Sequence, residues 1–347
     1  DPFVYPTFWL LTHYSTVMSV KIGINGLGRI GRLVFRLAIE TPGIELVHLN
    51  DMMDTPLMSH LIKYDSLHGK LNADLSCQQD HLVVNGSRIL VTHCEKPDAI
   101  PWKHTGVDIV IDASGKFKTS TSLQAHLRNG AKKVILTCPA LDNSIERTIV
   151  MGVNHKEILP SDRIISNASC TTNCVAIMLK VLQDEFGVKK AFMNTIHPLT
   201  NNQNIQDGYH TDYRRARSAI NNIIPTTSSA IDAIRIIFPE MKDTFDGFAT
   251  RVPVAECSFV ELIAELDKNV EKYIVNQAFL KHSEGNLNAY LEYCSDPIVS
   301  SDIHNNRHSA IFDSLATKVL AGDFIQILGW YDNEFGSYVN CLGKLTE

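Results

Sequence analysis

The chain has 347 residues, of which 44% are hydrophobic and 20% charged, and its formal net charge is −6 at pH 7. This composition excludes disordered, fibrous and membrane-spanning proteins, and the length favours two domains. Because the negative charge leaves no broad basic surface, we expect no specific nucleic-acid partner, no membrane partner and a cytoplasmic location.

Residues 1–17 do not share the pattern of the rest of the chain. They contain no Lys or Arg and only one short apolar patch, residues 8–11. Such a segment is neither a signal peptide nor a membrane span. Met18 stands directly before the first predicted strand, as a natural start would. We therefore interpret residues 1–17 as an N-terminal extension, natural or introduced by cloning, that lies outside the fold.

A glycine-rich loop follows the first predicted strand, residues 20–25. Its sequence is Gly26-Leu27-Gly28-Arg29-Ile30-Gly31, and it opens a helical pattern of apolar residues. Glycines with this spacing permit a tight turn and a close approach of pyrophosphate to a helix N-terminus. A second predicted strand, residues 44–50, is followed by Asp51, whose carboxylate can accept hydrogen bonds from ribose hydroxyls and repels the extra phosphate of NADP. The pattern predicts an NAD site.

Strands and helices continue to alternate after this unit. Apolar runs at 107–112, 133–137 and 163–166 predict strands, and residues 123–129 predict a helix between the first two. Alternation of this kind indicates a parallel, doubly wound sheet of the Rossmann type.

Cys170 lies at the start of the next predicted helix, which extends to about Phe186. It stands in the run Ser169-Cys170-Thr171-Thr172-Asn173-Cys174. A helix N-terminus lowers the pKa of a thiol, which favours a reactive thiolate. His197, at the end of the apolar run 191–196, is a candidate base, since the intervening residues suit a helix, a turn and a strand. Taken alone, Cys170 could equally be an ordinary buried cysteine.

The other cysteines give no sign of a metal or disulfide framework. All eight are scattered without a CxxC pair. We therefore expect neither a structural zinc site nor any other metal.

The pattern changes beyond about Phe186. Long β-rich runs at 258–266 and 324–330 indicate a second, α+β domain with a mixed, largely antiparallel sheet. No flexible linker separates the two halves, so Cys170 is predicted to lie at their junction.

Several motifs resemble those of the phosphorylating glyceraldehyde-3-phosphate dehydrogenases, and the resemblance covers residues 19–347. The motifs are Gly23-Ile24-Asn25-Gly26-Leu27-Gly28-Arg29-Ile30-Gly31-Arg32, Ser166-Asn167-Ala168-Ser169-Cys170-Thr171-Thr172-Asn173-Cys174, Arg214-Arg215-Ala216-Arg217, Ile223-Ile224-Pro225-Thr226, Arg251-Val252-Pro253 and Trp330-Tyr331-Asp332-Asn333-Glu334. The resemblance implies a Rossmann domain at 18–169 and 333–347, a catalytic domain at 170–332 and a homotetramer.

The resemblance also implies a reaction. Cys170 attacks the aldehyde of glyceraldehyde 3-phosphate, and His197 takes the proton of the thiohemiacetal while hydride moves to NAD. Inorganic phosphate then cleaves the thioester, which gives 1,3-bisphosphoglycerate, an intermediate of glycolysis and gluconeogenesis.

Further site residues follow from the same resemblance. Those implied in cofactor binding are Asn25, Gly26, Gly28, Arg29, Ile30, Gly31, Asp51, Ser114, Gly115 and Asn333. Those implied in binding the substrate phosphate or inorganic phosphate are Ser169, Thr171, Thr200, Arg215, Ser228, Ser229 and Arg251. Arginine suits such a site because its planar fork meets phosphate oxygens in pairs.

Some positions depart from the family pattern. Asn202 stands where the family often has aspartate, Ser228-Ser229 replaces a Thr-Gly pair, and Ser337-Tyr338 reverses the usual order. The pair Tyr209-His210 is similar to erythrose-4-phosphate dehydrogenases. Two alternatives therefore stay open: oxidation of erythrose 4-phosphate or another aldehyde, and an inactive family member that acts as a binding protein.

Overall fold

The computed structural model describes residues 19–142 and 145–346. The interpretation of residues 1–17 lies outside this part of the chain. Within it, no helix has the length and the apolar character needed to cross a bilayer.

The described residues of the first half of the chain form eleven strands and four α-helices. The strands are β1 (Val20–Asn25), β2 (Ile44–Asn50), β3 (Tyr64–Asp65), β4 (Gly69–Lys70), β5 (Leu75–Gln78), β6 (His81–Val84), β7 (Ser87–Thr92), β8 (Ile109–Asp112), β9 (Lys133–Leu136), β10 (Arg147–Thr148) and β11 (Ile164–Ser166). The helices are α1 (Arg29–Glu40), α2 (Thr55–Lys63), α3 (Trp102–Thr105) and α4 (Ser120–Arg128).

Nine of these strands form one sheet in the order β10-β11-β9-β8-β1-β2-β7-β6-β5. All pairs from β10 to β7 are parallel, and the last two pairs are antiparallel. The predicted doubly wound sheet is confirmed, with an antiparallel edge at residues 75–92 that the alternating pattern did not reveal. The sheet brings the carboxyl ends of β1, β2 and β8 together, where doubly wound folds bind ligands.

The second half contains the remaining elements. The strands are β12 (Val188–Pro198), β13 (Ile224–Thr226), β14 (Phe245–Val252), β15 (Ser258–Leu266), β16 (Leu291–Cys294), β17 (Ala310–Asp313), β18 (Lys318–Leu320) and β19 (Phe324–Tyr331). The helices are α5 (Cys170–Phe186), α6 (Ala230–Ile237), α7 (Lys272–Glu284) and α8 (Asn340–Thr346).

The second sheet is mixed and mainly antiparallel, as predicted. Its order is β13-β14-β12-β15-β19-β17-β16, and β18 pairs with β19. Along β15 the burial alternates residue by residue, which is the pattern of a sheet with one face on the core. Helix α5 is buried along nearly its whole length against this core.

Strand register brings the site residues of this sheet together. β12 pairs in parallel with β14, and His197 lies opposite Arg251 in that pairing. Both residues stand near the carboxyl ends of their strands, and Cys170 is the first residue of α5. After β19 the chain returns to the first half, where the Leu342 side chain of α8 packs in the core of the first sheet.

Candidate active site

The backbone before Cys170 turns sharply into helix α5. Ala168 is fully buried, and its backbone has a φ of 56°. Residues other than glycine rarely adopt this left-handed conformation. Tyr338 Oη donates a hydrogen bond to the Ala168 carbonyl oxygen at 3.2 Å. Ser169 caps the helix, since its Oγ accepts from the Thr172 N–H at 3.0 Å. Cys170 is thereby fixed at the first helical position.

Cys170 and His197 are in contact, as the sequence predicted. Cys170 Sγ lies 3.6 Å from His197 Nε2. His197 is buried, and its other ring nitrogen, Nδ1, lies 2.9 Å from the Pro198 carbonyl oxygen. A nucleophile and a base at this separation can exchange a proton.

The titration of this pair differs from the prediction. Cys170 retains some solvent exposure, but the protein around its thiol removes water and raises the pKa to about 11, despite the nearby Arg251 charge. Burial, followed by the charge of Arg251, lowers the pKa of His197 to about 3. The expectation of a lowered thiol pKa is therefore wrong, because desolvation outweighs the helix terminus. Both shifts favour a thiol and a neutral imidazole over a thiolate and an imidazolium.

Arg251 contacts the edge of the imidazole that faces away from Cys170. Its Nη1 lies 2.6 Å from His197 Nδ1 and 2.9 Å from the Pro198 carbonyl oxygen. The Arg251 Nε is buried and has no hydrogen-bond partner among the described residues. A buried guanidinium with an unused donor is suited to an anion.

Tyr331 is a site residue that the sequence analysis did not single out. Its buried hydroxyl lies 2.8 Å from both Thr171 Oγ1 and Thr195 Oγ1, and its ring is 6.2 Å from that of His197. Burial raises the pKa of this hydroxyl far above its usual value. The only signal in the sequence was its position in the Trp330-Tyr331-Asp332-Asn333 motif.

Gln203 is a second missed residue. Its buried Oε1 accepts from the Thr200 N–H at 2.8 Å and from Thr200 Oγ1 at 3.0 Å. The amide nitrogen of Gln203 is also buried and has no partner among the described residues. Gln203 therefore fixes the turn that carries Thr200, and its amide nitrogen remains an unused hydrogen-bond donor.

The remaining residues predicted to bind phosphate are engaged in several ways. Ser169 caps α5, and Thr171 contacts Tyr331. Arg215 Nε donates to Thr226 Oγ1 at 2.7 Å. Ser228 Oγ accepts from the Ala230 N–H at the start of α6, and Ser229 has an ordinary φ of −70°. Ser229 thus adopts its conformation without the freedom of glycine.

The glycine loop forms a cradle between β1 and α1. A Cβ at Gly31 would overlap the Gly26 carbonyl oxygen, and one at Gly26 would overlap the backbone of Ser114. Gly26 also has a φ of 93°. In contrast, a Cβ at Gly28 would meet no atom within 4 Å and would occupy the space in front of the helix. The first and third glycines therefore serve packing, and the second keeps the cradle open.

The cradle opens into a cavity of about 230 Å³ that includes Gly28, Asp51 and Ser114 in its lining. Asp51 Oδ2 accepts from the Leu27 N–H at 2.6 Å, and its Oδ1 accepts from the Met53 N–H at 2.9 Å. These bonds fix a carboxylate at the end of β2, beside the glycine loop. This arrangement fits a pyrophosphate at the N-terminus of α1 and a ribose at Asp51.

Several predicted cofactor residues have structural partners. Asn25 Nδ2 donates to Asp112 Oδ2, and Ser114 Oγ donates to Asp112 Oδ1, so one carboxylate joins two turns of the cavity wall. The Arg29 guanidinium binds Asp65 and Glu334. Its backbone N–H and that of Ile30 lie in the first turn of α1, where N–H groups lack helical acceptors. Gly115 continues the Ser114 turn with a φ of 68°.

Asn333 lies two residues after the end of β19. It is buried, and its Oδ1 accepts from the Cys257 N–H at 2.9 Å and from Ser258 Oγ at 3.2 Å. These bonds orient the amide so that its NH₂ is the group available to a nicotinamide carboxamide. The residues present therefore fit NAD at its pyrophosphate, at one ribose and at the nicotinamide carboxamide.

Two family models match the chain. Residues 20–120 match the NAD binding domain of glyceraldehyde 3-phosphate dehydrogenase, and residues 169–333 match its C-terminal domain. NAD is therefore the cofactor.

Bacterial relatives agree with these matches. The chain is 47% identical to glyceraldehyde-3-phosphate dehydrogenase of Priestia megaterium, over 95% of this chain and 98% of the relative. It is 48% identical to that of Streptomyces coelicolor over the same shares. Glyceraldehyde-3-phosphate dehydrogenase 1 of Bacillus subtilis is 46% identical, over 92% of this chain and 95% of the relative. The chain belongs to the glyceraldehyde-3-phosphate dehydrogenase family.

Proposed function

We propose that the chain oxidises glyceraldehyde 3-phosphate with NAD and inorganic phosphate to 1,3-bisphosphoglycerate, in glycolysis and gluconeogenesis. The single observation that carries this proposal is the contact of 3.6 Å between Cys170 Sγ and His197 Nε2, at the start of a helix in a chain of this family. The same contact argues against an inactive binding protein, since such a protein has no use for a buried thiol–imidazole pair.

The first step joins the substrate to the protein. Cys170 Sγ forms a bond to the aldehyde carbon, and its proton passes through His197 Nε2 to the carbonyl oxygen, which gives a thiohemiacetal. Because the raised pKa of Cys170 and the lowered pKa of His197 both favour the neutral groups, the imidazole acts as a general base during the attack rather than as a partner of a preformed thiolate.

Oxidation and phosphate transfer follow on the same sulfur. NAD supplies the acceptor for the hydride of the thiohemiacetal carbon. His197 Nε2 takes the hydroxyl proton as the carbonyl forms, which leaves a thioester on Cys170. An oxygen of inorganic phosphate then bonds to the carbonyl carbon, the carbon–sulfur bond breaks, and the departing sulfur recovers its proton from His197.

We assign the substrate's own phosphate to Arg251 and Thr200. The unused Nε of Arg251 and the unused amide nitrogen of Gln203 support this assignment, since buried donors without partners are rare. We assign inorganic phosphate to the hydroxyls of Ser169, Thr171 and Ser228 and the backbone of Ser229, with Arg215 nearby.

The remaining predictions are proposals of the same kind. We propose a Rossmann domain at 18–169 and 333–347 and a catalytic domain at 170–332, which agrees with the packing of α8 in the first core. All eight cysteines are thiols, which suits a cytoplasmic protein. A homotetramer is proposed from the family alone.

The test is NADH formation with glyceraldehyde 3-phosphate, with and without inorganic phosphate or arsenate. We expect turnover that depends on the acceptor. Turnover that is independent of phosphate would exclude the phosphorylating reaction. A higher kcat/KM for erythrose 4-phosphate would assign the chain to the alternative aldehyde, which the Tyr209-His210 pair favours.

A further inference from the structure

A second group of titratable side chains lies apart from the Cys170–His197 pair. It consists of His68 from the loop between β3 and β4, Glu256 from the loop between β14 and β15, and His304, which follows a short helical turn. His304 Nδ1 lies 2.7 Å from Glu256 Oε2, and His68 Nε2 lies 3.4 Å from Glu256 Oε1. One ligand atom from each of the three residues lies within 4.8 Å of the other two. We call this group the His–Glu–His cluster.

The carboxylate at the centre of the cluster is buried without a hydrogen bond. The Glu256 side chain is 5% exposed and that of His68 is 3% exposed. Neither oxygen of Glu256 has a donor with hydrogen-bond geometry among the described residues. The two imidazole nitrogens are therefore close to the carboxylate but poorly aligned for hydrogen bonds. A buried carboxyl group in this condition either keeps its proton or pairs with a cation.

A contact at Nδ1 of the His68 ring orients Nε2 of the same ring toward this carboxylate. His68 Nδ1 lies 3.2 Å from Asn305 Oδ1, and an amide oxygen can only accept, so Nδ1 carries a proton. In the neutral ring the lone pair is then on Nε2, which faces carboxylate oxygens of Glu256 and Glu334 at 3.4 Å each. A proton on Nε2 that is donated to Glu334, or a metal cation in place of that proton, satisfies these carboxylates. Metal-binding histidines are commonly oriented through their second nitrogen in this way.

We propose that His68, Glu256 and His304 form a binding site for a divalent transition-metal ion of the Zn²⁺ or Co²⁺ type. Two imidazole nitrogens and one carboxylate suit these ions, whereas Ca²⁺ and Mg²⁺ prefer oxygen ligands alone. Bonds of about 2.0 Å at tetrahedral angles separate ligand atoms by ~3.3 Å. The 3.4 Å between His68 Nε2 and Glu256 Oε1 is near that value, and the 2.7 Å between His304 Nδ1 and Glu256 Oε2 is shorter. Water completes the coordination at the exposed edge of His304.

The charges around the cluster are consistent with a bound cation. A second carboxylate borders the cluster, since Glu334 Oε2 lies 3.4 Å from His68 Nε2. The guanidinium of Arg29 beside Glu334 is already paired with Asp65 and Glu334. A metal ion would supply the positive charge that Glu256 lacks.

The site would connect the two halves of the protein near the cofactor. His68 belongs to the first half, and the other two ligands belong to the second. Cys257, directly after Glu256, donates its N–H to Asn333. A bound ion would therefore fix the loop that orients Asn333, without contact with Cys170.

The experiment measures metal binding to the full chain after Cys170 has been alkylated with iodoacetamide, so that this thiol cannot bind the ion. After treatment with a chelator and its removal, Co²⁺ is titrated with detection of its visible absorption, and Zn²⁺ is titrated by calorimetry. We expect about one ion per chain. Substitution of a ligand should weaken binding at least about 10-fold, since even outer partners of metal sites contribute 10- to 100-fold.

The variants are His304→Val and Glu256→Gln, with His308→Val as the matched control. His308 Nδ1 lies 2.9 Å from Glu292 Oε2, and its side chain is 31% exposed, close to the 33% of His304. Among the described residues, no metal-binding group of three includes His308. Loss of binding in His304→Val and retention in His308→Val support the site. Absence of Co²⁺ binding in the wild type, or equal affinity in wild type and His304→Val, overturns it. Because His304 is partly exposed, this variant decides the matter even if Glu256→Gln fails to fold.

Discussion

Arg251 Nη1 and Cys170 Sγ lie at opposite edges of the His197 ring. The guanidinium nitrogen is 2.6 Å from Nδ1, and the sulfur is 3.6 Å from Nε2. An arginine can only donate, which favours the ring proton on Nε2, whereas the Pro198 carbonyl oxygen, 2.9 Å from Nδ1, can only accept, which favours the ring proton on Nδ1. Only with the proton on Nδ1 does His197 present a lone pair to Cys170 and accept the proton of the thiol.

Binding of the substrate's phosphate by Arg251 would change the tautomer. When the guanidinium turns toward the phosphate, Nδ1 is free to carry the ring proton and donate it to the Pro198 carbonyl oxygen, 2.9 Å away. Nε2 then has a lone pair facing Cys170. The phosphate would thus activate the base that acts on the aldehyde of the same substrate.

The first prediction concerns Arg251→Leu. We expect the KM for glyceraldehyde 3-phosphate to rise about 10- to 100-fold, because a hydrogen bond to a charged group contributes roughly 1.5–3 kcal/mol. Loss of the positive charge should also raise the pKa of Cys170 and slow its alkylation by iodoacetamide at neutral pH. Steady-state kinetics and alkylation rates check both effects.

The control for Arg251 is Arg217→Leu. Arg217 is exposed and pairs with Asp207 at 2.9 Å, so its loss should change KM by less than about twofold. An unchanged KM in Arg251→Leu would show that Arg251 serves only the fold around His197.

The second prediction separates the nucleophile from its neighbour. Cys170→Ser should abolish dehydrogenase turnover, whereas Cys174→Ser should retain most of it, because the Cys174 sulfur is buried in the core beside Met178 and the Gly329 carbonyl oxygen. His197→Asn should lower kcat by about 10²–10⁴-fold, the usual contribution of a positioned acid or base. If Cys170→Ser and Cys174→Ser lost turnover equally, Cys170 would not be the nucleophile.

The sequence predicted much of the fold because its signals are local. The strands Val20–Asn25 and Ile44–Asn50 were predicted with the bounds that the structure has, and the helix at Cys170 was predicted to extend to about Phe186, where it ends. Apolar runs, glycines and a cap residue determine such elements within a few residues. The edge strands at 75–92 were missed because they are short and partly exposed, so their apolar pattern is weak.

The candidate site was predicted less completely because its contacts are distant in sequence. The pairing of Cys170 with His197 could be foreseen from a helix–turn–strand unit. The contact of Arg251 with His197 depends on strand register, and that of Thr171 with Tyr331 joins residues 160 positions apart. The pKa of Cys170 was predicted in the wrong direction, because a motif gives the helix terminus but not the burial that opposes it.

The third prediction is a preference for NAD over NADP that depends on Asp51. Its fixed carboxylate would repel the extra phosphate of NADP, so kcat/KM with NADP should be at least about tenfold lower. Asp51→Asn should reduce the difference in kcat/KM between NAD and NADP. Asp54→Asn is the control, since Asp54 is exposed and caps α2 through the Leu57 N–H. An equal or higher kcat/KM with NADP in the wild type would contradict the role of Asp51.

The last prediction concerns stability and pH at Glu256. Burial and the neighbouring acids raise its pKa above the usual 4.5 in the folded chain. The folded state therefore keeps a proton that the unfolded state has released, and its stability falls as the pH rises above that value. Glu256→Gln removes this titration, so its stability relative to wild type should increase from about pH 5.5 to about pH 8.5. Urea unfolding of both proteins in the presence of a chelator measures the difference.

Glu292→Gln is the control, because a hydrogen bond from His308 lowers the pKa of Glu292. The carboxylate of Glu292 is ionised in both the folded and the unfolded state across this pH range. The stability of Glu292→Gln relative to wild type should therefore not increase with pH. A relative stability of Glu256→Gln that stays constant or falls with pH would mean that Glu256 is ionised in the folded chain.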